Sequence, residues 1–543
     1  MRMPVALVIG MLLAGTAACT ADRDPAPSCE PKLEAAFGAW AQAGFSGAIA
    51  VSTGGRFECL AGYGTADDAT GARNTADTVY SIGSVSKAFT ATAILQLAGD
   101  GKLSLDDPVG KLVPAVTGPV AEATVRQVLL HTSGIGGSIG ADDQPLDRAG
   151  AIAAINKLDL AFPPGTDDAY SNAGYTLLAI IIDTVSGMSY RDYTVNHVLT
   201  PPGGGGFWHG RPAAAGPAAA GYLDDGKPGR SRTFAGPYWT TEGNGSLAMT
   251  SKELASWAHA LFHGPLAELA GDLAHPMGDG RSYTLGGWAA FDAKVYGTPI
   301  VAIAGGGGDV GHNVAVVWLP ARDRVIVMAS NRSVLTAEEL LAATVPSLVA
   351  GKPLPTPTAP AGGSDLTEIV GEYRLDTGGS FEVTAAGNRP GIAAVGADAV
   401  GALFPPGGRF SADDLRAHEQ RVLDLLTGQT RQGREERSAV EAEFGPITAV
   451  AAGGTVVADG EMRTYVTVTT RDGPQPGWYA VDEHSNIEGA ELPTVPPALT
   501  LVPVAANRYR PAGTGPDVTL DFAGGTVTVS GPAGTATVRA SRR

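Results

Sequence analysis

Between positions 84 and 98 nearly every residue is small or apolar (SVSKAFTATAILQLA), and Gly99 and Gly101 end the run. A helix apolar on most of its faces is a buried helix, so this stretch predicts a helix at the centre of a domain. Residues 46–52 and 56–63 read as two strands joined by Thr53-Gly54-Gly55, which is hairpin chemistry. Strand patterns return at 284–291, 298–304, 313–319 and 323–330, and the section from about 109 to 275 is mostly helical and loop-like. Helices are predicted over 32–43, 175–186, 251–262 and from Thr336 to about 349, the last two opened by capping boxes. Strands at both ends with helices between predict one antiparallel sheet, built from the two termini of the domain and covered by helices, an α+β arrangement.

The pattern breaks at 351–364 (GKPLPTPTAPAGGS), a Pro/Gly/Ser/Thr linker. Beyond it, residues 371–375 and 380–384 alternate as strands, and Ser411 with Asp414 caps an amphipathic helix to about 427. Strands follow at 463–470 and 476–481, and strand runs resume at 499–503 and 517–530. With 543 residues, two or three domains are expected. The predicted division is a signal segment over 1–19, a first domain over 30–350, the linker, and a β-rich domain over 365–543 with 410–495 as an α+β insertion.

Composition changes this picture little. The apolar fraction of 44% is that of an ordinary globular protein. A formal charge of −17 argues against nucleic acid or an anionic membrane surface as partner. At the start, Met1-Arg2-Met3-Pro4 followed by an apolar run to position 14 has signal-peptide length and is too short to span a bilayer. It ends in Gly15-Thr16-Ala17-Ala18-Cys19, which resembles a bacterial lipoprotein cleavage site with Cys19 lipidated, although Thr16 replaces the usual Leu. The expectation is an exported chain, either a cell-envelope lipoprotein that meets the membrane only through its lipid or a secreted protein. Cys29 and Cys59 are then left as a pair in an oxidising compartment, or as two buried thiols. Closing that loop stabilises by roughly 3–4 kcal/mol in the chain-entropy model.

The buried helix carries chemistry in its first turn. Ser84 and Lys87 stand at i and i+3, so their side chains share a face. Burial and the helix N-terminus both lower the pKa of Lys87, and a neutral lysine beside a hydroxyl can take its proton. The bland alternative is a capping serine with a lysine snorkelling to water. Tyr170-Ser171-Asn172 is the only Tyr-x-Asn in the chain and lies on a loop, where a phenol could relay the proton and Asn172 donate to a substrate carbonyl. Gly305-Gly306-Gly307-Gly308 ends a strand; its formal Gly-x-Gly-x-x-Gly match needs a helix next, and residues 313–319 read instead as a strand. A main-chain N–H there can pair with that of Ser84 as an oxyanion hole. The Gly136-Gly-Ser138-Ile-Gly140 match to a hydrolase elbow lacks the strand before it and the helix after it. His259 and His263 lie four apart on one helix face, without the Glu of a His-Glu-x-x-His pattern, and read as a solvated face. No metal or cofactor is implied.

In order, Gly62-Tyr63-Gly64, the run 80–87, the run 101–108, 129–134, Pro164-Gly165, Tyr170-Ser171-Asn172, 245–253 and 307–331 resemble the serine β-lactamase and penicillin-binding protein superfamily. The nearest branch is that of class C β-lactamases, D-Ala-D-Ala carboxypeptidases, D-aminopeptidases and esterases. The resemblance implies a β-lactamase/transpeptidase-like domain with Ser84 as nucleophile, Lys87 as its base, Tyr170 sharing the proton work, and an oxyanion hole at Ser84 and Gly308, beside Gly307. Residues after 365 resemble the lipocalin-like β-domain appended to this family. One departure stands out: the family's Lys-Thr-Gly or His-x-Gly motif falls on Gly305-Gly306-Gly307, without its cation. His312, seven residues on, is followed by a strand that works against its folding back to replace the charge. The implied function is an exported serine hydrolase forming an acyl-enzyme on an amide or ester, small-molecule or peptidoglycan-related. The alternative is a catalytically weak penicillin-binding-like binding or sensor protein. The missing cation further implies weak β-lactam hydrolysis, a preference for uncharged acyl groups, and recovery of carboxylate recognition in Gly305→His.

Overall fold

The computed structural model describes residues 28–542 except 200–203, 224–227, 230–233, 272–273, 278–280, 308–309, 358–365, 407–409, 512–515, 532–537 and further isolated or paired positions. The signal segment, Cys19 and Gly308 therefore lie outside the described residues, as does most of the linker. Among the described residues no helix is long and apolar enough to cross a membrane.

The first domain is built on a nine-stranded sheet. In chain order its strands are β1 (Ser28–Cys29), β2 (Gly47–Thr53), β3 (Arg56–Tyr63), β4 (His275–Pro276), β5 (Arg281–Tyr283), β6 (Ala289–Phe291), β7 (Ile300–Gly307), β8 (His312–Leu319) and β9 (Arg324–Ser330). They lie side by side as β1-β3-β2-β9-β8-β7-β6-β5-β4, with antiparallel neighbours throughout. The two termini of the domain thus meet at β2 and β9. A disulfide joins Cys29 to Cys59 across β1 and β3.

Why the central strands read as unbroken apolar runs is plain from their burial. Side chains alternate across a strand, and here both faces are covered. In β9, Val325, Val327 and Ala329 enter one core while Ile326 and Met328 enter the other. The second core is closed by helices α1 (Pro31–Gln42) and, at the far end of the domain, Ala337–Ala350. The first is filled by α2 (Ser86–Gly99), α3 (Asn172–Ser186) and α4 (Ser251–His263); the helix Ala337–Ala350 is α5. In α2 even Ser86, Lys87, Thr90 and Thr92 are buried.

Two differences from the sequence reading have local causes. Of the strand expected over 284–291 only β6 (289–291) forms, because Gly286 and Gly287 turn the chain between it and β5, which ends at Tyr283: Gly287 has φ +78°, and Thr284 Oγ1 accepts from the Trp288 amide. The helix Arg431–Phe444 is absent from the sequence reading because its surface is charged and it contributes few apolar side chains, such as Val440, to the core.

The C-terminal half is a closed barrel of eight strands, with Gly371–Leu375 pairing both Ser380–Ala386 and Val538–Arg542. Its neighbouring strands Arg389–Val395 and Ala498–Ala505 are hydrogen-bonded to each other, although about a hundred residues separate them. Among the described residues between them, the helices Ala412–Leu426 and Arg431–Phe444 and the four-stranded sheet from Ile447–Ala458 to Ile487–Glu491 share a core of their own, whereas the helix Ala397–Leu403 packs Ala399, Val400 and Leu403 into the barrel's core. The separate core starts with the helix Ala412–Leu426.

The first domain's second core ends near the linker, where Leu354 packs and Trp40 Nε1 donates to the Pro355 carbonyl. A chain ending at Pro357 is therefore expected to stay soluble and unfold cooperatively. Ending it at Ser333 should abolish folding, because Leu340, Leu341, Val345 and Leu348 each contribute about 1.5–3 kcal/mol, together as much as a domain's net stability. Circular dichroism melts of the two truncations check this; an insoluble longer chain would overturn the boundary.

Candidate active site

A short strand, Val79–Ser81, leads into a 3₁₀ turn, Gly83–Val85, and then into α2. The turn requires Gly83 twice over. Its φ is +48°, and a Cβ there would lie 2.4 Å from the Gly306 amide nitrogen of β7. Ser84 is thereby held at the head of the buried helix, with Lys87 one turn in.

Lys87 is 2% exposed. Its Nζ lies 3.0 Å from Ser84 Oγ, 2.7 Å from Asn172 Oδ1 and 3.1 Å from the Asn244 carbonyl. Burial lowers this ammonium to about 7, with the Asp142 carboxylate pulling the other way. Tyr170 OH also donates to Ser84 Oγ, at 2.6 Å, and Lys87 Nζ lies 4.6 Å from the centroid of its ring. The ring is half exposed while the hydroxyl is turned inward, and burial of that group pushes the phenol up to about 12. The two groups are thus separated as base and acid: near neutral pH Lys87 is readily free of its proton and Tyr170 keeps its own.

Asn172 Oδ1 accepts from Lys87, and its amide nitrogen donates to Ser138 Oγ. Ser138, the centre of the elbow-like match, sits in a loop as that residue partner. The glycine fingerprint is followed by strand β8, so no helix receives it.

Two residues were not legible as site residues. His131 adopts φ +60°, rare for a residue with a side chain. Its Nδ1 accepts from the Ser171 amide, its carbonyl from the Ala169 amide, and its ring packs 4.8 Å from that of Tyr170. Burial, aided by the Lys87 charge, lowers His131 to about 3, so it is a neutral brace for the Tyr170 loop. Asn244 meets Lys87 through its backbone oxygen, which no side-chain pattern can show.

Beyond Ala302, β7 loses its neighbour: β6 pairs only with 300–302, whereas β8 continues to Gly307. The freed edge runs past Ser84. One cavity of about 540 Å³ beside Ser84 is lined by Lys87, Tyr170, Tyr283, Phe291, Ile303 and Gly305. Another, of about 170 Å³, reaches Ser84 from Asp142, Asn172, Trp208, Asn244 and His312.

Gly305 overturns one expectation. A Cβ there would fall 2.4 Å from the Ser84 amide nitrogen and 2.5 Å from that of Val85. The missing cation has not left a gap; the strand has closed onto the turn. Gly305→His has no room without moving backbone, so it is not the variant that restores a charge. His312 does not restore it either. The ring is buried between Tyr80 and Trp208, and its Nδ1 lone pair accepts from the Ser81 amide, where a second ring proton has no place.

The family model for Beta-lactamase matches residues 32–350. The chain belongs to the Beta-lactamase family. Members of this superfamily include serine hydrolases and penicillin-binding-like proteins without catalysis. Protein flp of Staphylococcus aureus (strain MW2) is 36% identical over 148 residues, 26% of this chain and 30% of its own length. The match to this curated relative thus spans under a third of it. Two solved structures share the fold. The penicillin-binding protein of Bacillus halodurans has 23% identity and TM-score 0.50, over 57% of this chain and 99% of its own. The octameric penicillin-binding protein homologue of Pyrococcus abyssi has 19% identity and TM-score 0.51, over 86% and 99%.

Within this Beta-lactamase family member, the contact of β7 with the Ser84 turn can be tested by a single methyl group. Gly305→Ala is expected to destabilise the first domain by about 1–3 kcal/mol, the usual range for overpacking. It should also slow modification of Ser84 by roughly a hundredfold, as displacement of the reacting group by an ångström does. Denaturant melts and labelling rates with a fluorophosphonate measure both; an alanine variant unchanged in each would show that strand and turn are not in contact.

Proposed function

We propose that this protein is an exported serine hydrolase that forms an acyl-enzyme on Ser84. The observation that carries the reading is the placement of one hydroxyl oxygen between Lys87 Nζ at 3.0 Å and Tyr170 OH at 2.6 Å. In the first step Lys87 Nζ takes the Ser84 proton as Oγ bonds to the substrate carbonyl carbon. The oxyanion is met by the Ser84 amide, with Gly308, outside the described residues, as the second donor and Gly307 beside it. Tyr170 gives its proton to the leaving nitrogen or oxygen and is refilled from Lys87 as the acyl bond to the leaving group breaks. Water then cleaves the ester by the same proton path reversed. The freed edge of β7 is placed to pair with an extended substrate, which fits a small ester, amide or peptidoglycan-related peptide. Export rests on the sequence of residues 1–19.

A second reading follows from Gly305: a binding or sensor protein that acylates slowly or not at all. Labelling separates the two. A fluorophosphonate or penicillin probe is expected to modify Ser84 and to give no adduct on Ser84→Ala. The labelling rate should rise with pH and level off above a midpoint near 7, because the reactive form is neutral Lys87 and its folded pKa is about 7. An absence of adduct across pH 6–9 would leave the binding reading.

Substrate charge is tested separately. Charge-assisted pairs with a carboxylate contribute roughly 1.5–3 kcal/mol, and β7 offers no cation for one. Arg281, which lines the larger cavity, stands two strands away on β5, about 10 Å at the usual strand spacing. A short-chain aryl ester is therefore expected to turn over faster than a cephalosporin, whose carboxylate meets no cation on β7, by about tenfold to a hundredfold in kcat/KM. Efficient cephalosporin hydrolysis would overturn this preference.

A further inference from the structure

At the other end of the sheet from Ser84, three side chains from two separate segments converge. His259 and His263 project from the last turns of α4, their rings stacked with centroids 4.0 Å apart. Asp323 comes from the turn between β8 and β9, sixty residues later in the chain. Its Oδ1 lies 3.1 Å from His263 Nε2 and 3.6 Å from His259 Nε2. All three candidate ligand atoms fall within 4.8 Å of one another.

Hydrogen bonding fixes what those atoms are. His263 Nδ1 lies 2.8 Å from the His259 carbonyl oxygen, which can only accept, so Nδ1 carries the proton. In the neutral ring Nε2 then presents a lone pair, and it presents it to a carboxylate oxygen. His259 Nε2 faces the same oxygen, and both of these atoms are closed off from solvent without a hydrogen-bond partner. A proton on one Nε2, giving an imidazolium–carboxylate pair, or a metal ion among the three atoms answers this arrangement, and the convergence of two rings on one carboxylate oxygen favours the ion. The imidazole whose far N–H is tied to a backbone carbonyl is also the usual second-shell arrangement of a metal-bound histidine.

The backbone supports the same convergence. Asp323 sits at φ +49°, ψ +47°, a left-handed conformation that aspartate tolerates and most residues do not. That conformation is braced by its carbonyl, which accepts from the Gly54 amide of the β2–β3 hairpin. Gly55 comes so close to the His259 ring that a Cβ there would lie 3.1 Å from Cε1. The hairpin, the turn and the end of α4 are therefore already packed around the cluster.

We propose that His259, His263 and Asp323 form a site for a divalent transition metal of the zinc class. Two imidazoles and one carboxylate are a borderline-soft donor set that suits zinc, with water completing the shell. Bonds of about 2.0–2.1 Å place neighbouring ligands about 3.3 Å apart, close to two of the separations already present. The ion would tie α4 to the sheet through Asp323. The site is structural: β8 spans eight residues between the Ser84 end and this turn, roughly 25 Å at the rise of a strand. No step at Ser84 passes through it.

The test uses the full-length, untagged protein stripped with EDTA and dialysed. Isothermal titration with zinc chloride is expected to show one saturable site per chain. Zinc in tenfold excess should raise the first unfolding transition by about 3–6 °C, as binding to the folded state alone requires. His263→Gln and Asp323→Asn should each lose most of that shift; asparagine keeps the left-handed turn, so Asp323→Asn reads the ligand and not the fold. Cobalt(II) should give visible d–d absorption in the wild type that Asp323→Asn lacks. Absence of saturable binding by zinc, nickel and cobalt would overturn the proposal. So would a zinc shift that survives both substitutions, since the ion would then be bound elsewhere.

Discussion

The free energy of burying one amino group organises the first domain. Lys87 lies in a helix that is apolar around its whole circumference, and its own position there costs solvation that only neutralisation or polar contacts can offset. Three elements supply those contacts: the Ser84 turn, the Asn172 loop at the head of α3, and the Asn244 carbonyl from the segment before α4. Each is a separate stretch of chain. The helical half of the domain is thereby assembled around a lysine whose pKa has been brought near 7, and the same desolvation that disfavours its charge makes it a base toward Ser84.

Tyr170 depends on the same arrangement from outside. Its hydroxyl reaches Ser84 because His131, held in a left-handed backbone conformation, braces the loop on either side of Tyr170, its ring accepting from the Ser171 amide and its carbonyl from the Ala169 amide. Lysine and tyrosine are about five pKa units apart, so their roles are not interchangeable: removing the proton from the phenol would be the costlier step by far. This assigns the proton-accepting role to Lys87 and the donating role to Tyr170 on energetic grounds.

Glycine, not charge, governs the remaining side of the site. Gly83, Gly305 and Gly306 allow backbone to approach backbone at distances that any side chain would forbid. At Gly305 the strand rests on the Ser84 turn itself. The backbone of β7 is thus the wall beside Ser84, and its residues 300–307 carry no cation.

Much of this was legible in the amino-acid sequence because local pattern and burial coincide. An apolar run with period-independent composition can only be a buried helix, and a serine and a lysine three apart on it must share a face. Continuous apolar strands at both ends of the domain required a sheet covered on two sides, as β2, β8 and β9 show. The polar helix Arg431–Phe444 escaped because a solvated helix has no strong apolar period, and the break between β5 and β6 because a glycine turn is invisible to hydropathy. The closeness of Gly305 to Ser84, the role of the Asn244 carbonyl, the brace at His131 and the meeting of Asp323 with His259 and His263 were decided only by tertiary structure. Each joins residues far apart in the chain through backbone atoms or through a conformation, and neither backbone position nor φ is written in the order of side chains.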